Sequence, residues 1–379
     1  MQTAIQTLGG LGLFLLGMIV MTDGLRSLAG NVIRKALMTF THSPLSGAVT
    51  GAVSTAVLQS SSATTVAAVG FVSVGLLSFP AALGIIFGAN MGTTITGWMV
   101  ALLGFKLKLS TLVLPIILIG ALLRLFGKGR LAHAGYAMAG FGLIFVGITF
   151  MQEGMADLQG AAFFSQFPAD TFIGRIKLVL IGILFTVITQ SSSAGVAAAL
   201  TALFTGLISF EQAASMVIGM DIGTTVTAAL ATIGGSVDAR RTGYSHVIYN
   251  IFTGIFAFVI LTPFIVLWDK LAPGSLLENS EIALVAFHTT FNIIGVLIVL
   301  PFTAQFARFM QKLVREKGPT YTRGLNPAVL EQPSLALNAA HAAIREQMLA
   351  LFQHVQAMLG DFTNGKYTDL NQLDSELDK

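Results

Sequence analysis

The 379-residue chain contains no cysteine, which excludes disulfide bridges and thiolate metal centres. Charge is scarce as well: Asp, Glu, Lys and Arg make up 10% of the residues, against roughly 25% in a soluble domain. With 54% hydrophobic residues and a mean hydropathy of +0.79, the chain reads as an integral membrane protein. Its apolar runs are long and do not alternate, which excludes a barrel and leaves helical spans. No Lys or Arg precedes the first apolar run, "MQTAIQTLGGLGLFLLGMIVMTDGL", so this start reads as a retained helix rather than a cleavable signal. The net charge of +3 does not imply a nucleic-acid partner, because the bases lie between apolar runs and act as topology signals. "GGLGLFLLG" follows no strand and is not read as a nucleotide loop.

Full spans are expected at residues 8–24, 79–104, 110–126, 133–152, 211–235, 243–267 and 281–303. Two further apolar stretches, 45–77 and 173–207, are each interrupted midway by Gln-Ser-Ser-Ser. Each has the length of two short helices joined at a polar tip, a re-entrant hairpin. Arg26, Arg34, Lys35, Arg124, Lys128, Arg130, Arg240, Arg241, Arg308, Lys312, Arg315 and Lys317 fall on one side of this scheme. That side is the cytoplasm, with the N-terminus outside and the C-terminus inside. Lys106, Lys108, Arg175 and Lys177 fall on the wrong side.

The chain also repeats. An offset of 131 residues carries Gln59 onto Gln190, "GLLSF" (Gly75 to Phe79) onto "GLISF" (Gly206 to Phe210), and "GANMGTTIT" (Gly88 to Thr96) onto "GMDIGTTVT" (Gly219 to Thr227). Shifted by one residue, "GLFLLGMIVMTDG" from Gly12 resembles "GLIFVGITFMQEG" from Gly142. Because the copies start on opposite sides, the expected fold is all-α with two inverted-topology repeats, each holding a hairpin and a broken helix. The expected divisions are 1–130, 131–317 with extra helices, and a polar tail, 318–379, whose residues 333–362 have the spacing of a cytosolic helix.

At a hairpin tip, the unpaired backbone N–H groups of the second arm form an anion site. Ser60, Ser61 and Ser62, with Ser191, Ser192 and Ser193 from the other side, add hydroxyl donors suited to a tetrahedral oxyanion. The alternatives are hydroxyls that ease helix packing, and a catalytic serine. The second lacks an Asp–His pairing or a GxSxG elbow, and no enzyme is expected. The glycine-rich motifs place Asn90, Thr93 and Thr94, and Asp221, Thr224 and Thr225, inside spans. Breaks there would free backbone carbonyls, and such hard oxygen ligands suit Na⁺. Asp221 is the one carboxylate well inside a span, neutralised by Na⁺ or H⁺ or else bonded at a structural kink. "HVIYN" and "HTTFN" set His246 and Asn250, and His288 and Asn292, one helical turn apart, to support the broken helices through their exposed carbonyls.

Paired QSSS segments followed by G-[AM]-[ND]-[MI]-G-T-T, together with H-x-x-[YF]-N, resemble the sodium–phosphate cotransporter family, over residues 1–305. The segment from Asn326 resembles the start of a PhoU-like helical domain. The resemblance implies sodium-coupled uptake of inorganic phosphate through a multi-pass protein of the bacterial inner membrane, with the lipid bilayer as surroundings and a homodimer as one admissible assembly. It implies phosphate at Gln59, Ser60, Ser61, Ser62, Gln190, Ser191, Ser192 and Ser193. Sodium would meet Gln59, Gln190 and Thr64 beside the two glycine-rich motifs. Both H-x-x-[YF]-N copies lie in the second half, where the family pattern has one in each. Rival readings are an anion channel, a proton-coupled oxyanion transporter and a phosphate sensor.

Overall fold

A computed structural model of the chain describes residues 2–106, 112–158, 167–315 and 332–363. Lys108, Lys317, Asn326 and the stretch after Thr363 lie outside the described residues. The described residues are helical, without strands, and seven helices are long and apolar enough to cross a membrane. The protein is a multi-pass membrane protein.

The first half comprises α1 (Gln2–Phe40), α2 (Pro44–Leu58), α3 (Ser61–Ser73), α4 (Phe79–Met99), which continues as a π-helical turn to Lys106, and α5 (Val113–Phe126). The second comprises α6 (Arg130–Ala156), α7 (Phe172–Thr189), α8 (Ser192–Phe204), α9 (Phe210–Gly223) and α10 (Thr225–Leu230). Then follow α11 (Val237–Leu271), α12 (Ser275–Glu278), α13 (Ser280–Val299), α14 (Thr303–Leu313) and α15 (Pro333–Thr363). Two spans differ from expectation. The described α5 has 14 residues, about 21 Å at 1.5 Å per residue, too short for a bilayer core. The 18-residue α7, expected as a hairpin arm, is itself of spanning length.

Glycines let backbones touch. A Cβ on Gly84, Gly88 or Gly92 of α4 would lie 2.1, 1.8 or 2.4 Å from the carbonyl oxygens of Pro44, Ala48 and Ala52. Residue numbers rise together along this seam, so α2 and α4 run parallel, and α3, which joins the end of one to the start of the other, must return antiparallel. The same holds in the second half, where Gly219 of α9 abuts Val179 of α7 and Gly223 abuts Ile183. The chain therefore reverses at Gln59-Ser60 and again at Gln190-Ser191. Between α3 and α4 the repeated GL[LI]SF motif explains itself. Gly75 (φ +72°) and Gly206 (φ +73°) take the left-handed turn, with Leu76 N–H donating to Phe71 O and Leu207 N–H to Ala202 O at 2.9 Å. Ser78 and Ser209 then stand at the N-cap of the next helix, where the Ser209 hydroxyl accepts from Gln212 N–H.

α1 and α6 pack antiparallel, with Gly10 against Gly147, Gly17 against Gly140 and Gly24 against Ala137. At the far end of α1, Ile33 and Leu37 share a core with Met310 of α14 and with Leu335 and Ala339 of α15, where Arg34 also bonds Gln332.

The continuity of α4 corrects an expectation: "GANMGTT" does not break the helix, and its glycines serve close approach to α2. In α9 and α10 the chain does interrupt, at Thr224, though the backbone there stays near helical at φ −56°, ψ −28°. Gly88→Ala should lower the thermal stability of the detergent-purified protein by about 3 kcal/mol, the upper end for overpacking. Gly12→Ala, with nothing within 4 Å of the added methyl, is the control, and equal melting of both variants would contradict the seam.

Two cations that violate the topology rule are tied down. Lys106 pairs with the buried Glu281 at 3.2 Å and also bonds Asn279. Arg175 donates to Ala169 O at 2.6 Å and to Thr262 Oγ1 at 2.9 Å.

Candidate functional site

Gln59 and Gln190 are, among the described residues, the only non-glycine positions with positive φ, at +52° and +54°. A left-handed glutamine costs about 1 kcal/mol or more and persists where its surroundings fix it. Here both ends of each side chain are held. Gln59 Nε2 donates to Ala56 O at 2.5 Å, and its Oε1 accepts from Thr96 Oγ1 at 2.9 Å. Gln190 Nε2 donates to Val187 O at 2.6 Å, and its Oε1 accepts from Thr227 Oγ1 at 2.8 Å. Every partner keeps the 131-residue offset. Thr96 and Thr227 were not singled out by the sequence, although they end the two glycine-rich motifs.

Ser60 and Ser191 are N-caps, each accepting from the backbone N–H three residues on, Ala63 and Ala194, at 3.2 Å. Ser61 and Ser62, and Ser192 and Ser193, follow as the first helical residues, whose N–H groups precede the first intrahelical bond. The two segments meet through one hydroxyl. Ser193 Oγ lies 3.4 Å from Thr96 Oγ1, whose proton goes to Gln59 Oε1, so Ser193 is the donor to Thr96. The halves are unequal in exposure: Gln59 is 8% exposed, whereas Gln190 is open. Thr64 is fully buried, accepts from Thr55 Oγ1 at 3.0 Å and donates to Ser60 O. At the offset of Thr64 the second half has Gly195, and Thr186, the counterpart of Thr55, is left without a partner.

The second layer of polar groups lies along α4, α9, α11 and α13. Asn90 Nδ2 donates to Asn250 Oδ1 at 2.7 Å, which leaves Asn90 Oδ1 to accept from His246 Nε2 at 3.0 Å. Asp221 accepts from His288 Nε2 at 3.1 Å to each oxygen and from Asn292 Nδ2 at 2.8 Å. The His–Asn pairs thus act on side chains of the glycine-rich motifs, not on exposed carbonyls as expected. Each pair also serves one half of the repeat: His246 and Asn250 hold the first, His288 and Asn292 the second. The two copies are adjacent in sequence yet divided between the halves in space. His288 Nδ1 and Asn292 Oδ1 are buried without a partner beside Asp221, itself 7% exposed.

Thr93, Thr94, Thr224 and Thr225 donate to carbonyls of their own turns, at 3.0, 2.8, 3.0 and 2.7 Å. Their lone pairs stay available to a cation. Among the described residues no group of three or more His, Cys, Asp or Glu side chains forms a transition-metal site. The donors present are amide, hydroxyl and carboxylate oxygens, which fit a hard, weakly held cation.

Comparison with known proteins agrees with this doubled construction. The uncharacterized protein YqeW of Bacillus subtilis is 32% identical over 308 residues, covering 80% of this chain and 96% of that protein. The "Putative inorganic phosphate export protein YjbB" of Salmonella typhimurium and that of Escherichia coli K12 are each 28% identical over 365 residues, covering 92% of this chain. The match spans 64% of the length of those two. No solved structure matches the chain significantly. The family model for the Na⁺/Pi-cotransporter matches twice, at residues 13–153 and 146–268, once for each half of the repeat, and the chain belongs to that family.

Proposed function

We propose that the protein is a sodium-coupled carrier of inorganic phosphate that takes phosphate into the cell by alternating access. The observation that carries this reading is the Ser193–Thr96–Gln59 connection, which sets the two QSSS segments at one place among uncharged donors. The hydroxyls and the free N–H groups of Ser61, Ser62, Ser192 and Ser193 suit an oxyanion that must be released again, where a buried Arg would hold it. Sodium would take the oxygens of Gln59, Gln190, Thr64, Asn90, Thr93, Thr94, Asp221, Thr224 and Thr225. Coupling follows from charge: in a low-dielectric site each ion lowers the cost of burying the other.

Inversion of the repeats is supported by α1 and α6. They are counterparts in sequence and run antiparallel, and the contacts Gly10–Gly147 and Gly17–Gly140 exchange with each other at the 130-residue offset of those helices. Halves so related, each with a chain reversal at its glutamine, fit re-entrant hairpins that enter from opposite faces of the inner membrane. A second reading, phosphate export, is favoured by the name of the YjbB relatives.

Purified protein in liposomes separates these readings. With an inward Na⁺ gradient as the sole driving force, labelled phosphate should accumulate above equilibrium, and Gln59→Ala or Gln190→Ala should depress uptake at equal protein. Equal flux with choline in place of Na⁺ would remove sodium coupling, and strictly downhill flux would indicate a channel. Accumulation that follows only from an outward-directed driving force would establish export.

A further inference from the structure

We infer a phospholipid site on the outer face of the second half, in the slot between α7 and α11. Phe172, Ile176 and Leu180 of α7 and Ile255, Phe258 and Val259 of α11 form its walls, with Ile218 and Ile222 of α9 as floor. The cavity has a volume of about 350 Å³ and an almost wholly apolar lining. α7 and α11 meet at one end, where the rings of Phe172 and Phe258 pack edge to face at 5.5 Å and Arg175 reaches Thr262. Beyond that closure, Gly254 lets Ile222 pack against the backbone of α11, where a Cβ would lie 2.7 Å from Ile222 Cδ1. Phe172, Leu180, Ile255 and Val259 stay more than half exposed, so the open side of the slot faces the hydrocarbon of the bilayer.

The occupant follows from the two ends. An acyl chain fits an apolar slot open to lipid. A guanidinium at the closed end fits the phosphate of its headgroup. Arg175 has five N–H donors, of which the bonds to Ala169 and Thr262 use two, and exposed Lys177 adds positive charge at the same level on another face of α7. Both residues lie at the start of a spanning helix, at headgroup level, on the side where the topology rule expects few cations. An anionic phospholipid explains what they do there. Because α7 ends at Thr189 with Gln190 as its C-cap, a chain lodged in the slot would bear directly on the arm that carries the second glutamine.

The site goes beyond the transport reading and is measured without any transport. The chain has no cysteine, so a single Leu180→Cys carries a fluorophore at the rim of the slot, and Leu118→Cys on α5 reports a lipid-exposed surface elsewhere. Both are reconstituted into phosphatidylcholine containing a minor fraction of phosphatidylglycerol with a mid-chain doxyl quencher. The expected result is quenching at 180 that corresponds to about a fivefold enrichment of the anionic lipid over its bulk fraction, with quenching at 118 that follows the bulk fraction. Arg175→Gln should abolish the enrichment and Arg175→Lys should keep it. Quenching at 180 that follows the bulk fraction, or an enrichment indifferent to Arg175→Gln, overturns the assignment. No quenching by any doxyl lipid also overturns it, since the slot would then be covered by protein such as a second copy of the chain.

Discussion

Asp221→Asn should lower sodium-driven phosphate flux about a hundredfold while leaving a folded protein of normal yield. The magnitude follows from the charge that a buried cation would lose as its counterpart, a loss of about 3 kcal/mol or more. The folded state tolerates the change because the first half already shows an amide in the same frame. Asn90 sits between His246 and Asn250 as Asp221 sits between His288 and Asn292. His288 can move its proton to the unpartnered Nδ1 and accept from the new amide, so no donor need face another. The substitution therefore removes charge with little else. Flux is measured in liposomes under a fixed Na⁺ gradient, with size-exclusion profiles as the check on folding. Near-normal flux from a monodisperse variant would exclude Asp221 as a sodium ligand.

The second large effect is expected from Thr96→Val, an exchange of nearly equal shape that removes one hydroxyl. That hydroxyl is the donor to Gln59 and the acceptor from Ser193, so two buried groups lose their partner together. Together the two losses cost about 2 kcal/mol or more, which places the fall in phosphate transport at about thirtyfold or more. Thr227→Val breaks only the bond to Gln190, whose exposed amide water can satisfy, and should cost a few fold. The ranking is the test. If Thr227→Val is the more damaging, or Thr96→Val transports normally, the joining of the two QSSS segments through Thr96 has no part in transport.

Much of the architecture was legible because it is local. A Gln-Ser-Ser-Ser cluster inside an apolar run has few stable conformations apart from a capped chain reversal, and Pro333 marks the start of α15 as the first helical residue. The long α7 and the short α5 escaped because hydropathy reports what tolerates lipid, not where hydrogen bonding ends. The unbroken α4 escaped for a different reason. Glycines flanking Asn90 look the same in sequence whether they release the backbone or admit a neighbouring helix, and only the position of Ala48 and Ala52 decides. In the polar layer, Asn90 and His246 are separated by 156 residues, and no spacing rule links them. Thr96 and Thr227 did have a signal, since both fall within the repeated motif at the same offset, but a threonine in a span usually bonds its own helix.

The contact of α1 with α6 has a consequence for how this molecule tolerates change. Where Gly17 meets Gly140, a Cβ on the first would lie 2.6 Å from the amide nitrogen of Ile144, and one on the second 2.2 Å from that of Met21. Neither residue can grow unless the opposing strut retreats, so a substitution in one copy sets what the other copy is permitted to carry. Two duplicated segments free to diverge elsewhere are bound, along this line, to a shared inheritance.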